Sequence, residues 1–134
     1  MKISIYCTTQ DSEAAQENLA ALIDSLTRND HDVWVSWKPC APGEVTKTAI
    51  SNSLNADFIV VYMTMNMFAD SFYHESIRPL VIKEEKPSIL IHSRAAAYAE
   101  DEKKKLFPEK AIGSYEDTDE KWAEVGYEVL SRIA

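Results

Sequence analysis

The chain has 134 residues, of which 46% are apolar and 27% charged, and its formal net charge is −8. This size and composition predict one soluble globular domain over residues 1–134. The acidic balance and the lack of a basic stripe exclude binding to a nucleic-acid backbone, and no apolar run approaches the ~20 residues of a membrane span. With no signal-peptide pattern and only two cysteines, Cys7 and Cys40, we expect a cytoplasmic protein without a disulfide framework.

The first half of the chain alternates apolar strands with helical stretches. The elements expected there are, in order, a strand over Lys2–Cys7, a helix capped by Asp11 or Ser12 and ended by Asn29-Asp30, a strand over Val33–Trp37, a loop over Lys38–Gly43, a helix over Glu44–Leu54 and a strand over Asp57–Met63. The last of these strands is apolar on both faces, as a central parallel strand is. The first helix carries one apolar face, formed by Ala15, Leu19, Leu22, Ile23 and Leu26.

The second half continues the same alternation. The expected elements are a loop over Thr64–Ala69, a helix from Asp70 to Arg78 that Pro79 ends or kinks, a strand over Pro87–His92, a helix over Ala95–Leu106, a weak edge strand over Ala111–Tyr115 and a helix over Asp119–Ile133. The run Lys103-Lys104-Lys105 follows three acids, Glu100 to Glu102, and predicts a solvated helix face. The pattern predicts a three-layer flavodoxin-like fold: five parallel strands in the order 2-1-3-4-5, with helices on both faces.

This topology places a ligand crevice at the carboxyl ends of strands one and three, where the strand order reverses. Several chemistries of such sheets are excluded. None of the three glycines leads from a strand into a helix, which argues against a phosphate-cradling loop. Asp57 opens strand three rather than ending it, which argues against a phosphorelay receiver. The three scattered histidines and the acids that follow Cys7 favour neither a metal site nor a reactive thiolate.

Glu75 remains as the candidate catalytic group, because it lies just inside a helix that follows the central strand. The nicotinamide ring of an N-ribosyl pyridinium leaves as a neutral molecule and needs no general acid, and the transition state is an oxocarbenium ion. A carboxylate about 4 Å from that charge contributes a few kcal/mol at an effective dielectric constant of about 20, roughly a thousandfold in rate. A solvated acid that favours the helix dipole is the alternative, and spacing alone leaves both open.

Four segments of the chain resemble motifs of the Toll/interleukin-1 receptor (TIR) domain family, in its bacterial NAD-consuming branch. They are the polar run Thr8-Thr9-Gln10-Asp11, the loop residues Ala41-Pro42-Gly43, the buried run from Asn55 to Tyr62, and the segment from Asp70 to Leu80. The resemblance implies NAD as substrate rather than cofactor. It also implies ADP-ribose or a cyclic form of it as product, serving as a signal in antiphage defence.

The resemblance also assigns roles by position. Glu75 would be catalytic and would face the nicotinamide ribose together with Ser71. The nucleotide would be bordered by Cys7, Thr8 and Thr9. The covering loop would begin at Trp37 and Lys38 and would also take part in forming a homo-oligomer. The chain departs from the family in having Ser71 where an aromatic residue is usual, Cys7 where a Phe or Tyr is usual, and Pro79 shortly after the acid.

Two alternatives stay open. TIR domains also act as non-enzymatic modules that self-associate through the loop after strand two, and a separately encoded effector would then be a second partner. Nucleoside 2-deoxyribosyltransferases resemble the chain in Ala56-Asp57 and in Asp70-Ser71 followed by Glu75, although their Gly-Thr pair is missing here. In that family the acid would be a covalent nucleophile.

Overall fold

The computed structural model describes residues 1–37, 51–52 and 55–134. In these ranges five parallel strands form one sheet in the order β2-β1-β3-β4-β5. The strands are β1 Lys2–Tyr6, β2 Asp32–Val35, β3 Phe58–Met63, β4 Ser88–His92 and β5 Leu106–Phe107. The predicted topology is confirmed, and the bounds of the first four strands differ from the prediction by one or two residues.

The helical elements return the chain between strands. The α-helices whose bounds lie in the described ranges are α1 Ser12–Arg28, α2 Arg78–Ile82, α3 Glu100–Lys103 and α4 Thr118–Ile133, and Ser51, Asn52 and Asn55 are helical as well. A π-helical turn over Tyr73–Ile77 leads into α2, and 3-10 turns cover Thr9–Asp11, Met65–Ala69 and Ile112–Ser114. No helix in the described ranges is both long and apolar enough to cross a bilayer.

The sheet separates two apolar cores because side chains alternate between its faces. All six residues of β3 are buried, and they divide between the cores. The first core joins alternate residues of the sheet to α1 and α4, through Ala15, Leu19, Leu22, Leu26, Val125 and Val129. The second core joins the other residues to the π turn and α2, through Tyr73, Ile77, Leu80 and Val81. The apolar face predicted for the first helix is confirmed, with Ile23 only partly buried.

Two predicted elements near the carboxyl terminus are wrong. Of the helix expected over Ala95–Leu106, only α3 forms, because Tyr98 is buried in the second core and its hydroxyl donates to the Arg94 carbonyl at 2.7 Å. The edge strand is β5, which pairs Leu106 with Leu90 and Phe107 with Ile91, whereas Ala111–Tyr115 contains a 3-10 turn. A strand of two residues has no alternating pattern from which it could be predicted.

Pro79 does not end its helix. The Arg78 amide donates to the Tyr73 carbonyl in the wider π pattern, and Pro79 then falls in the first turn of α2. A missing N–H is tolerated in that position, whereas in an α-helix interior it would break a hydrogen bond. The loop expected over Lys38–Gly43 and most of the helix expected over Glu44–Leu54 lie outside the described residues.

Candidate functional site

A buried carboxylate joins the two segments that follow the central strands β1 and β3. Asp11 is 9% exposed and accepts hydrogen bonds from the Thr8 hydroxyl at 2.8 Å, the Thr64 hydroxyl at 2.5 Å and the Asn66 amide at 3.0 Å. Thr8 follows β1 and Thr64 follows β3, so Asp11 fixes the ends of the two central strands relative to each other. Asp11 is the N-cap residue of α1, as predicted, but its side chain accepts no hydrogen bond from the amides of that helix.

A second carboxylate connects β1 to the helix of Glu75. The Tyr6 hydroxyl donates to one oxygen of Asp70 at 2.7 Å, and the other oxygen accepts from the Tyr73 amide at 2.8 Å. Burial, with the Asp70 hydrogen bond and charge added, raises the pKa of Tyr6, so the phenol stays protonated and donates. The Phe72 ring lies 5.1 Å from the Tyr6 ring. The first residues of this helix are therefore anchored at the carboxyl end of β1.

The residues after β1 differ in accessibility. Cys7 is buried, with its Sγ 3.6 Å from the Ser36 hydroxyl, and burial raises the pKa of its thiol to about 11. The thiol is therefore neutral and packed, as the sequence predicts. Thr8 is buried and bound to Asp11, whereas Thr9 is exposed. Of these three residues, Thr9 is the one with a side chain open to solvent.

Trp37 packs on α1. It is partly buried against the first core and borders a hollow of about 400 Å³ whose other lining residues all belong to α1, among them Gln16, Ala20 and Ile23. The indole is thus supported by the helix next to it. Lys38, expected to begin the covering loop with Trp37, lies outside the described residues.

Glu75 and Ser71 are both exposed and four residues apart on one helical segment, which puts them on neighbouring turns. Neither side chain forms a hydrogen bond or an ion pair with any residue that the structure describes. The Glu75 carboxylate is therefore exposed to water and unpaired among the described residues. It lies five residues after Asp70. Asp70, directly before Ser71, is bound to Tyr6 at the end of β1, the strand that Thr8 and Thr9 follow.

A buried polar network holds the other side of the π turn. Glu102 is 4% exposed and accepts from the Tyr73 hydroxyl and from the Ala99 amide. The Arg78 Nη2 atom donates to both carboxylate oxygens of Asp101 at 2.6 Å, and the Arg78 Nε lies 3.5 Å from Oε2 of Glu102. Glu102 was expected on a solvated face, and this expectation is wrong because the Tyr73 hydroxyl needs an acceptor inside the second core. A hollow of about 450 Å³ lies beside this network, bordered by Phe68, His74, Arg78, Ala97, Ala99 and Glu102.

Sequence reasoning missed Asp11, Asp70 and Glu102 as the residues that build this end of the sheet. The signal for Asp11 was available, because hydroxyl residues follow both central strands at Thr8 and Thr64. Glu102 gave no signal, since it is one of three consecutive acids. In the described ranges, no three His, Cys, Asp or Glu side chains gather to hold a metal ion.

Comparisons with known proteins establish the fold. No protein-family model and no curated protein matches the chain. Among solved structures, it is similar to the TIR domain of the Toll-related receptor TRR-2 from the lower metazoan Hydra magnipapillata. The TM-score is 0.63 at 16% sequence identity, and the match covers 96% of this chain and 98% of that one. The chain therefore has the flavodoxin-like fold of a TIR domain.

Proposed function

We propose that this protein cleaves the nicotinamide–ribose bond of NAD, with Glu75 as the catalytic carboxylate. The observation that carries the proposal is an exposed carboxylate, without a partner among the described residues, on a π turn anchored to the end of β1. Turns of this type are rare and are found frequently at functional sites. An acid already paired with a cation would have little charge to offer a substrate.

The chemistry suits a single acid. Nicotinamide in NAD is a pyridinium cation, so the C1′–N bond breaks as its electron pair neutralises the ring. Positive charge then develops on the ribose, and Glu75 stabilises it. Water adds at C1′ and loses its proton to solvent, which yields ADP-ribose; attack by the adenine ring instead yields cyclic ADP-ribose. No metal and no cofactor take part in this proposal.

The exposure of Glu75 sets a condition on catalysis. In water, a carboxylate at about 4 Å from a cation contributes only about 1 kcal/mol, whereas at an effective dielectric constant of about 20 it contributes about 4 kcal/mol. Bound NAD must therefore displace water from around the acid. In the proposal, Ser71 and Thr9 contact the ribose and phosphates through exposed hydroxyls, and Cys7 and Thr8 form the floor beneath the nucleotide. Trp37 and Lys38 begin the segment that covers it.

The experiment incubates concentrated protein with NAD and measures nicotinamide, ADP-ribose and its cyclic form by chromatography. The wild type is expected to release nicotinamide, and Glu75→Ala to lose nearly all of that activity. Glu85→Ala is the matched control, because Glu85 is also exposed and its side chain has no partner among the described residues. Equal release by the wild type and Glu75→Ala would remove Glu75 from the mechanism.

The second candidate is a non-enzymatic signalling module. It is favoured by the origin of the similar solved structure, which is a domain of a receptor. In this role the chain would associate with copies of itself through the loop after β2 and act on a separate effector protein. Sedimentation velocity distinguishes this role from the enzymatic one. For a signalling module, we expect Pro42→Ala to abolish self-association and Glu75→Ala to have no effect.

In the enzymatic proposal, the chain consumes cytoplasmic NAD and its product is a signal in antiphage defence.

A further inference from the structure

A surface groove of about 480 Å³ lies between α1 and α4, on the first-core side of the sheet. The helix of Glu75 packs on the second core, so the sheet separates this groove from that helix. Its floor is apolar, formed by Leu19, Leu22, Trp122, Val125 and Leu130. Its walls carry small residues, namely Ala21, Ser25, Ala123 and Gly126.

Gly126 has no packing role in the described part of the chain. It lies in the middle of the 16-residue helix α4, where Gly destabilises a helix relative to Ala. A Cβ atom added there would meet nothing within 4 Å. The space beside Gly126 is therefore empty, and a partner could approach the α4 backbone more closely at Gly126 than at any residue with a side chain.

The uncompensated charge of the groove is negative. Glu17 and Asp119 both line it, and neither side chain has a hydrogen bond or an ion pair with a described residue. No Lys or Arg is among its lining residues. The basic residues near its ends are each paired on their own helix: Arg28 with Asp24 at 3.0 Å, Lys121 with Glu124 at 3.1 Å and Arg132 with Glu128 at 2.9 Å.

The two free acids lie at the same end of the groove. Asn18 donates to the Tyr62 hydroxyl at 2.9 Å, and the Trp122 ring stacks on the Tyr62 ring at 5.7 Å between centroids. Glu17 precedes Asn18, and Asp119 lies one turn before Trp122. The Trp122 indole also lines the groove and is held in place by its stack on Tyr62, and the face of such a ring attracts cations.

We propose that this groove binds a short amphipathic helix of a partner protein, with apolar residues on the floor and an Arg or Lys between Glu17 and Asp119. The lining spans about 12 Å along α1 and about 16 Å along α4, which matches two to three helical turns. Tyr127, 73% exposed at the wall, supplies an aromatic side chain that the partner covers. A second copy of this chain fits poorly, because its net charge of −8 opposes an acidic groove.

The test uses a designed peptide of about 15 residues with Leu at helical spacing and three Arg in its terminal turn, and a matched peptide with Glu in place of Arg. Binding to the ¹⁵N-labelled protein is followed by NMR. With only three glycines in the chain, the Gly126 and Gly113 amide signals are simple to assign. We expect the Arg peptide to shift the Gly126 signal and leave that of Gly113, outside the groove, in place.

Three variants complete the test. Glu17→Lys with Asp119→Lys is expected to weaken binding of the Arg peptide by about tenfold or more. Glu85→Lys with Glu109→Lys makes the same charge change at exposed positions outside the groove and is expected to change the affinity by less than about threefold. Gly126→Leu fills the groove at a position with open space and is expected to abolish binding while the helix stays folded.

Each contrary result would overturn the proposal. The Arg peptide could fail to bind, the Glu peptide could bind equally well, or the two double variants could weaken binding to the same degree. A Gly126 signal that shifts with protein concentration alone would identify a second copy of the chain as the occupant.

Discussion

The Tyr6 hydroxyl and the Asp70 carboxylate, 64 residues apart in sequence, form a 2.7 Å hydrogen bond. Through it the last residue of β1 determines where the helix of Glu75 begins, because the same carboxylate also accepts from the first amide of the π turn. The position of the candidate catalytic acid thus depends on the sheet as well as on its own helix.

Replacing Tyr6 with Phe removes this hydrogen bond and keeps the ring in its place. We expect the free energy of unfolding to fall by about 1–2 kcal/mol, because the partly buried Asp70 carboxylate loses one hydrogen-bond donor. The urea midpoint of Tyr6→Phe measures the change. The control is Tyr127→Phe, since the hydroxyl of this exposed side chain has no partner in the described ranges. An unchanged midpoint in Tyr6→Phe would show that the hydrogen bond does not hold the helix.

Asp11→Asn is expected to destabilise the chain by about 2–3 kcal/mol. The buried carboxylate accepts from three donors, and an amide would direct its own N–H groups at some of them. Asp24→Asn provides the comparison: Asp24 forms an exposed pair with Arg28, and pairs of this kind contribute about 0–1 kcal/mol. Equal destabilisation of the two variants would contradict the role of Asp11 in joining the two segments.

Stability is expected to fall at alkaline pH in part through Cys7. The folded chain raises the pKa of this thiol from 9.0 to about 11. The stability that the neutral thiol contributes is therefore complete below pH 9 and is lost as the pH rises towards 11. Both proteins compared carry Cys40→Ala. Between pH 9 and pH 11, the free energy of unfolding should fall by about 1–2 kcal/mol less in the Cys7→Ala variant than in the protein that keeps Cys7. Denaturant unfolding across this range measures the difference, and parallel curves would show that the thiol titrates normally.

Tyr73→Phe tests the network behind the π turn. Removing the hydroxyl leaves the buried Glu102 without one of its donors, and we expect a loss of about 2 kcal/mol. Burial and the Glu102 hydrogen bond both raise the pKa of Tyr73, so its hydroxyl stays protonated across the neutral range. Tyr115→Phe removes a hydroxyl with no partner among the described residues and should have little effect on thermal unfolding. Equal melting temperatures for the two variants would contradict the role assigned to Tyr73.

The sheet could be predicted because its signals are local and repeated. β3 is apolar on both faces, and the helix before β2 has a regular apolar stripe, so strand order and layers follow from their alternation. The carboxyl-terminal edge could not be predicted in the same way. The position of Tyr98 in the second core, which limits α3, depends on contacts between segments distant in sequence.

The candidate site was also predicted only where its signals are local in sequence. Sequence spacing put Ser71 and Glu75 on one helical segment after β3, and the structure agrees. The partners of Asp70 and Glu102 could not be inferred, because each depends on a side chain at least 29 residues away. Sequence spacing did not distinguish a catalytic Glu75 from a solvated helix acid, because exposed acids are common in helices.

The most direct test of the proposed activity compares steady-state NAD cleavage by the wild type and by Glu75→Gln, which keeps the shape of the side chain and removes its charge. We predict a loss in kcat of about a thousandfold with KM changed by less than about threefold, because the carboxylate acts on positive charge that develops on the ribose only in the transition state. Glu85→Gln should match the wild type. A Glu75→Gln protein that releases nicotinamide at the wild-type rate, or a wild type that releases none, would contradict the account.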